Sequence, residues 1–142
     1  MIIEECVFCQ IVRGDRPAEK LYEDGRFLVF LDIYPATPGH ALVIPRAHYR
    51  SLTEMPEEEV ADYFKVVARL ARQIRKAMDA QGFNLGLNDG SAAGQAIPHV
   101  HVHIIPRYWN DRGVGIQGIV RARVERGKFD EIASKIRAEV AE

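Results

Sequence analysis

The chain has 142 residues, of which 47% are hydrophobic and 27% charged, with a formal net charge of −1. That length fits one domain able to bury a core without disulfides, and that composition is globular rather than that of a disordered or membrane chain. The near-neutral balance argues against a general nucleic-acid binder, and no run approaches the roughly 20 apolar residues of a membrane span.

The N-terminal MIIEECVFCQ lacks a basic region followed by a long apolar run, so it does not read as a signal peptide, and a cytoplasmic setting is expected. Cys6 and Cys9 should be reduced there, so the CxxC pair suggests a metal half-site or a redox motif rather than a structural disulfide. Cys9 to Arg13 reads as a short helical turn stopped at Gly14. KLYED and RFLVFLD are two β-prone runs around Asp24-Gly25, a hairpin signal, and after the punctuated loop IYPATPGH the run HALVIPR reads as a third strand. His40 stands at its start and His48 just beyond its end.

Pro56 to Gln81 carries a helical pattern, with Val60, Phe64, Val67, Ala71, Ile74 and Met78 forming one stripe and Gly82 placed to stop it. FNLGLN follows as a strand, then the small-residue loop DGSAAGQA. In IPHVHVHIIPR, Ile97 to Arg107, a strand would put His99, His101 and His103 on one face and Val100, Val102 and Ile104 on the other. A glycine-rich link leads to a last helix from about Lys128 to Val140, with Phe129, Ile132, Ala133, Ile136 and Val140 on one face. These elements predict an α+β fold with an antiparallel sheet, one long helix and a C-terminal helix.

An imidazole works near neutral pH as nucleophile, base, acid or metal ligand. Beside the three histidines, NDGSAAGQ offers backbone N–H groups with the side chains of Ser91 and Gln95, which together suggest phosphate chemistry. Alternating histidines also suit a polar strand face or a metal-binding face, and NDG also suits a plain hairpin turn.

HVHVHII resembles the His-φ-His-φ-His-φ-φ signature of the histidine-triad (HIT) nucleotide hydrolases and transferases. CVFCQIVRGDRPAEKLYED, FLDIYPATPGHALVIPRAHYRSL and GFNLGLNDGSAAGQAIPHVHVHIIPR are similar to family blocks in the family order. The resemblance implies a five-stranded antiparallel sheet and a homodimer in which the long helix and sheet edges pair across a two-fold axis. It makes residues 1–142 a single HIT domain, with a core through Arg107 and an extension over 108–142.

By the same resemblance His101 is the nucleophile that becomes nucleotidylated, His103 holds the phosphate, and Gln95 and Ser91 bond the bridging or leaving-group atom. Asn88 falls beside the phosphate and nucleoside, Asp32 where ribose hydroxyls bind, and His40 where it orients the triad. Phe8, Ile11, Phe30, Leu31 and Ile33 offer either a base pocket or core packing. The zinc-containing members imply a structural zinc held by Cys6, Cys9, His48 and the first triad histidine, His99. The extension is similar to that of a Fhit-like branch, and its Arg107, Arg112, Arg121 and Arg123 either meet polyphosphate or are solvated; Trp109 is expected to pack. The activity implied is hydrolysis at the α-phosphate of a dinucleoside polyphosphate or nucleoside phosphoramidate, with a purine nucleotide such as AMP as partner. The alternatives are transfer to phosphate and a non-catalytic, zinc-stabilised nucleotide-binding dimer.

Overall fold

The computed structural model describes residues 5–141; the first four residues of the N-terminal reading lie outside them. Eight elements follow in order: α1 (Val7–Arg13), β1 (Lys20–Glu23), β2 (Phe27–Leu31), β3 (Ala41–Pro45), α2 (Glu57–Ala77), β4 (Gly82–Leu87), β5 (Val102–Arg107) and α3 (Phe129–Val140). The strands form one antiparallel sheet in the order β1-β2-β3-β5-β4. This is the α+β, five-stranded architecture expected from the sequence.

Local chemistry explains most boundaries. Cys6 caps α1 by accepting from Cys9 N, and Gly14 ends it in the left-handed region at φ 86°, so the helix begins two residues earlier than expected. Asp24 accepts from the backbone N–H of Arg26 and Phe27 and so closes the β1-β2 hairpin. Alternation along β2 and β3 fills both faces of the sheet. Phe27, Val29, Ala41 and Val43 pack towards α2, while Leu28, Phe30, Leu42 and Ile44 pack with Phe8 and Ile11 of α1. Each large apolar side chain buried this way contributes about 1.5–3 kcal/mol. Among the described residues no helix is long and apolar enough to cross a membrane.

Three expectations change. The buried face of α2 consists of Tyr63, Val66, Val67, Leu70, Ala71 and Ile74, whereas Phe64 is 39% exposed. An apolar arc wider than about 100° admits either choice of stripe, and packing against the sheet decides it. The helix also stops at Ala77 rather than at Gly82: Asp79 takes φ 51°, its N–H reaches Lys76 O, and Ala80 N reaches Arg75 O, which closes a Schellman turn. Gly82 begins β4 instead.

The third change concerns the histidine segment. The β5 ladder starts only at Val102, so His99 and His101 precede it. Their alternation nevertheless holds, since Val100, Val102 and Ile104 enter the α2-side core while the Phe8 ring of α1 lies against His99 and His101. The two strands part where Tyr63 inserts its hydroxyl, donating to Val43 O at 2.6 Å and accepting from Val102 N at 3.1 Å.

Candidate active site and metal centre

Two clusters of side chains meet at the start of β5. The first comprises Cys6, Cys9, His48 and His99, whose candidate ligand atoms all lie within 4.8 Å of one another. Cys6 Sγ is 3.4 Å from His99 Nδ1, Cys9 Sγ is 3.6 Å from the same nitrogen, and Cys9 Sγ is 3.3 Å from His48 Nδ1. Tetrahedral zinc with ordinary Zn–S and Zn–N bonds requires ligand separations of about 3.3–3.8 Å. The donor set therefore fits zinc in both type and spacing. His99 Nε2 donates to Pro45 O at 2.8 Å, which leaves Nδ1 as the nitrogen with a lone pair. Burial holds the His99 imidazole neutral, with its pKa lowered to about 4, and burial raises that of the Cys6 thiol, an effect that a bound cation would reverse.

The second cluster comprises Asp32, His40, His101 and His103. His101 Nδ1 donates to His99 O at 2.7 Å, so Nε2 is the deprotonated nitrogen, and burial lowers the pKa so that the ring is neutral near pH 7. Gly39, at φ 91° and with Met78 and Pro106 closing on its Cα, delivers His40 to the edge of β3. The backbone N–H of Ala36 donates to His40 Nδ1 at 2.9 Å, which places the His40 proton on Nε2. That proton is given to His103 Nδ1 at 2.9 Å, so His103 in turn carries its proton on Nε2. Burial, with His101 and His40 nearby, lowers the His103 pKa to about 4. The relay also counts against a cation at Asp32, His40 and His103, because the His40 nitrogen facing the cluster holds a hydrogen.

The remaining expected residues divide. Asp32 accepts from Tyr34 N through Oδ1 at 2.9 Å and lies 3.5 Å from His40 Nε2 through Oδ2, beside the triad. Asn88 shares a cleft with His40 and His103. Gln95 spends its amide on the loop, accepting from Gly90 N and donating to Arg50 O and Ile97 O. Ser91 is exposed at the start of a short 3-10 turn. Among the described residues no hydrogen bond joins Ser91 or Gln95 to an imidazole. Phe8, Ile11 and Phe30 are buried in the core, while Ile33 is exposed.

Residues 13–110 match the family model described as the HIT domain. The chain belongs to the HIT domain family. Among HIT relatives, the adenosine 5'-monophosphoramidase hnt1 of Schizosaccharomyces pombe is 41% identical over 111 residues, covering 78% of this chain and 80% of that protein. The crystal structure of SMU.412c from Streptococcus mutans is 38% identical and superposes with a TM-score of 0.87 over 97% of this chain and 87% of that one. The crystal structure of a zinc-bound histidine triad family protein from Mycobacterium smegmatis is 41% identical, with a TM-score of 0.74 over 98% and 99% of the two chains.

Tyr63 supports the HIT site without having been singled out in the sequence, and Arg107 takes partners other than those expected of it. Tyr63 was hidden inside a helix pattern that offered two stripes. Arg107, expected either to meet polyphosphate or to be solvated, binds its own extension: Nε and Nη2 grip Asp111 at 2.7 and 3.0 Å, and Nη1 reaches Asn84 and Val114 O. The spacing Arg107 to Asp111 was the available signal. Trp109, expected to pack, is 91% exposed.

Proposed function

We propose that the protein is a nucleotide hydrolase that cleaves at the α-phosphate of a nucleoside phosphoramidate or dinucleoside polyphosphate through a nucleotidyl intermediate on His101. The observation that carries this reading is the bond from His101 Nδ1 to His99 O, which fixes a neutral imidazole with its lone pair on Nε2. Nε2 attacks phosphorus, the bond from phosphorus to the leaving atom breaks, and the leaving group departs with a proton from solvent. Water then adds to phosphorus, the P–N bond to His101 breaks, and a proton returns to solvent. His103 Nε2–H, oriented by His40, donates to a phosphate oxygen as charge develops. Asp32 accepts from ribose hydroxyls, and Asn88 lies beside the phosphate. The monophosphoramidase activity named for the fission-yeast relative supports a purine nucleotide such as AMP as the retained group.

Cys6, Cys9, His48 and His99 hold a structural zinc in this reading, supported by the ligand spacing and the zinc-bound mycobacterial relative. Bound there, zinc would tie α1 to the segment entering β5 and fix the backbone whose carbonyl orients His101. Reduced thiols in this role suit a cytoplasmic setting. The unpaired edge of β4 and the exposed apolar face of α3, with Phe129, Ile132, Ile136 and Val140, support a homodimer built from one HIT domain per chain.

The decisive experiment is incubation with adenosine phosphoramidate and diadenosine polyphosphate labelled at the α-phosphorus. Wild type should carry acid-labile label and release AMP, and His101→Ala should do neither. Equal turnover by the variant would remove His101 from the role of nucleophile.

A further inference from the structure

The direction of the proton relay from His40 to His103 depends on one backbone group, the N–H of Ala36, which donates to His40 Nδ1 at 2.9 Å. Ala36 belongs to the loop between β2 and β3, in which Ile33 and Tyr34 project into solvent. That N–H must therefore be held over a buried imidazole by something other than a core. Asp32 closes the first half of the loop, its Oδ1 accepting from Tyr34 N at 2.9 Å. The end is fixed by His40 N donating to Thr37 O at 3.1 Å and by Asp32 N donating to His40 O at 2.9 Å. The middle is tied to the sheet by Thr37, whose Oγ1 donates to Pro106 O at 2.7 Å.

Pro106 offers its carbonyl because β3 has already ended. The β3-β5 register stops at Ala41 opposite Ile104, and Gly39 turns the chain away at φ 91°, where a Cβ would lie 3.2 Å from Pro106 Cγ. The Thr37 hydroxyl supplies the donor that a longer β3 would have supplied. Pro38 biases Thr37 to an extended backbone, and Pro35 has its own φ fixed, so Ala36 sits between a proline and an anchored threonine. The Tyr108 hydroxyl, 3.5 Å from Pro38 O, is too distant to replace that anchor.

We infer that Thr37 is a positioning residue for the reaction: its hydroxyl holds the loop so that Ala36 N–H sets His40, and through it His103, in the tautomer protonated on Nε2. Without the bond to Pro106 the loop is free to draw Ala36 back, and His40 can carry its proton on Nδ1. The Nε2 lone pair of His40 then faces His103 Nδ1, which must hold the proton between them, and His103 Nε2 changes from donor to acceptor. Each imidazole keeps one proton, moved between its nitrogens by exchange with solvent. An acceptor at that position has nothing to donate to a phosphate oxygen. Asp32 Oδ2, 3.5 Å from His40 Nε2, still favours the original tautomer, so the two forms coexist. The inference rests on His103 as the phosphate donor beside a His101 nucleophile.

The test compares wild type with Thr37→Val, which keeps the branched shape and loses the donor, and Thr37→Ser, which keeps the donor. One readout is His101 labelling and turnover with adenosine 5'-phosphoramidate, and the other is side-chain nitrogen NMR of isotope-labelled histidines near neutral pH. Wild type should show His40 and His103 protonated on Nε2. Thr37→Val should show mixed tautomers at both residues and a kcat about tenfold lower with KM little changed, because the affected donor acts as charge develops. Thr37→Ser should restore both readouts, and Thr37→Ala should repeat the valine result if the loop accommodates valine poorly. Unchanged tautomers in the valine and alanine variants, with or without a loss of kcat, would overturn the role of Thr37. Absence of label on wild-type His101 would instead remove the nucleophile, while the NMR comparison, which needs no turnover, still decides whether Thr37 sets the tautomers.

Discussion

Replacing Tyr63 by Phe removes one oxygen and keeps the ring that stacks on Phe27 at 5.5 Å. That oxygen bridges Val43 O and Val102 N where the β3-β5 ladder ends, and Tyr63, Val43 and Val102 are all essentially inaccessible to water. The variant leaves a carbonyl and an N–H unsatisfied in the core. Each such group costs about 1–3 kcal/mol, so the expected loss is about 3 kcal/mol. At this chain length a loss of 1 kcal/mol lowers Tm by about 3–5 °C, which gives a fall of roughly 9–15 °C. Urea unfolding measures the free energy and calorimetry the Tm, with Tyr49→Phe as the control. The Tyr49 hydroxyl bonds Glu59 at a part-buried position, and its removal should cost less than about 1 kcal/mol. The labelling rate of His101 should fall in Tyr63→Phe, because Val102 N fixes the start of β5 next to His101. A change below about 1 kcal/mol would refute the view that one hydroxyl completes the ladder.

Purified from zinc-supplemented medium, the protein should contain stoichiometric zinc by mass spectrometry, and Cys6→Ala or His48→Ala should lose it together with thermal stability. Metal content unchanged in both variants would rule out this ligand set. The His103 pKa falls from 6.5 to about 4 on folding, so the unfolded chain binds the proton first. Stability should therefore decline as pH drops from 6.5 towards 4, and His103→Gln should flatten part of that slope in urea titrations at several pH values. Because burial also lowers the His101 pKa, labelling should stay constant around pH 7 and fall only below pH 6.5. Arg107→Ala should release the turn at 108–114, seen as faster cleavage there in limited proteolysis, with little change in cleavage within β2 or β3.

Much of the fold was legible because it depends on near neighbours. The hairpin follows from Asp24-Gly25, the sides of β2 and β3 from alternation of period two, and the facing of His99 and His101 from the same alternation even outside the ladder. The candidate zinc set and the separate roles of the triad rested on the family resemblance, because thiolate and imidazole chemistry alone left the CxxC pair between a metal half-site and a redox motif and left the three histidines between several roles.

What the sequence by itself determined is therefore the class of sheet, the placement of the long helix and the inventory of reactive groups. The tertiary structure alone decided how those groups are used. Ala36 N–H, which sets the tautomers of His40 and His103, carries no side-chain signature, and the two partners of the Tyr63 hydroxyl lie 20 and 39 residues away. Gln95, expected at the bridging or leaving-group atom, bonds Gly90, Arg50 and Ile97 in the folded chain. Arg107, a candidate for polyphosphate or for plain solvation, anchors the extension through Asp111 and Val114 O. In each case a residue type offers donors and acceptors, but long-range packing chooses their partners, and that choice is a property of the folded chain rather than of any window along it.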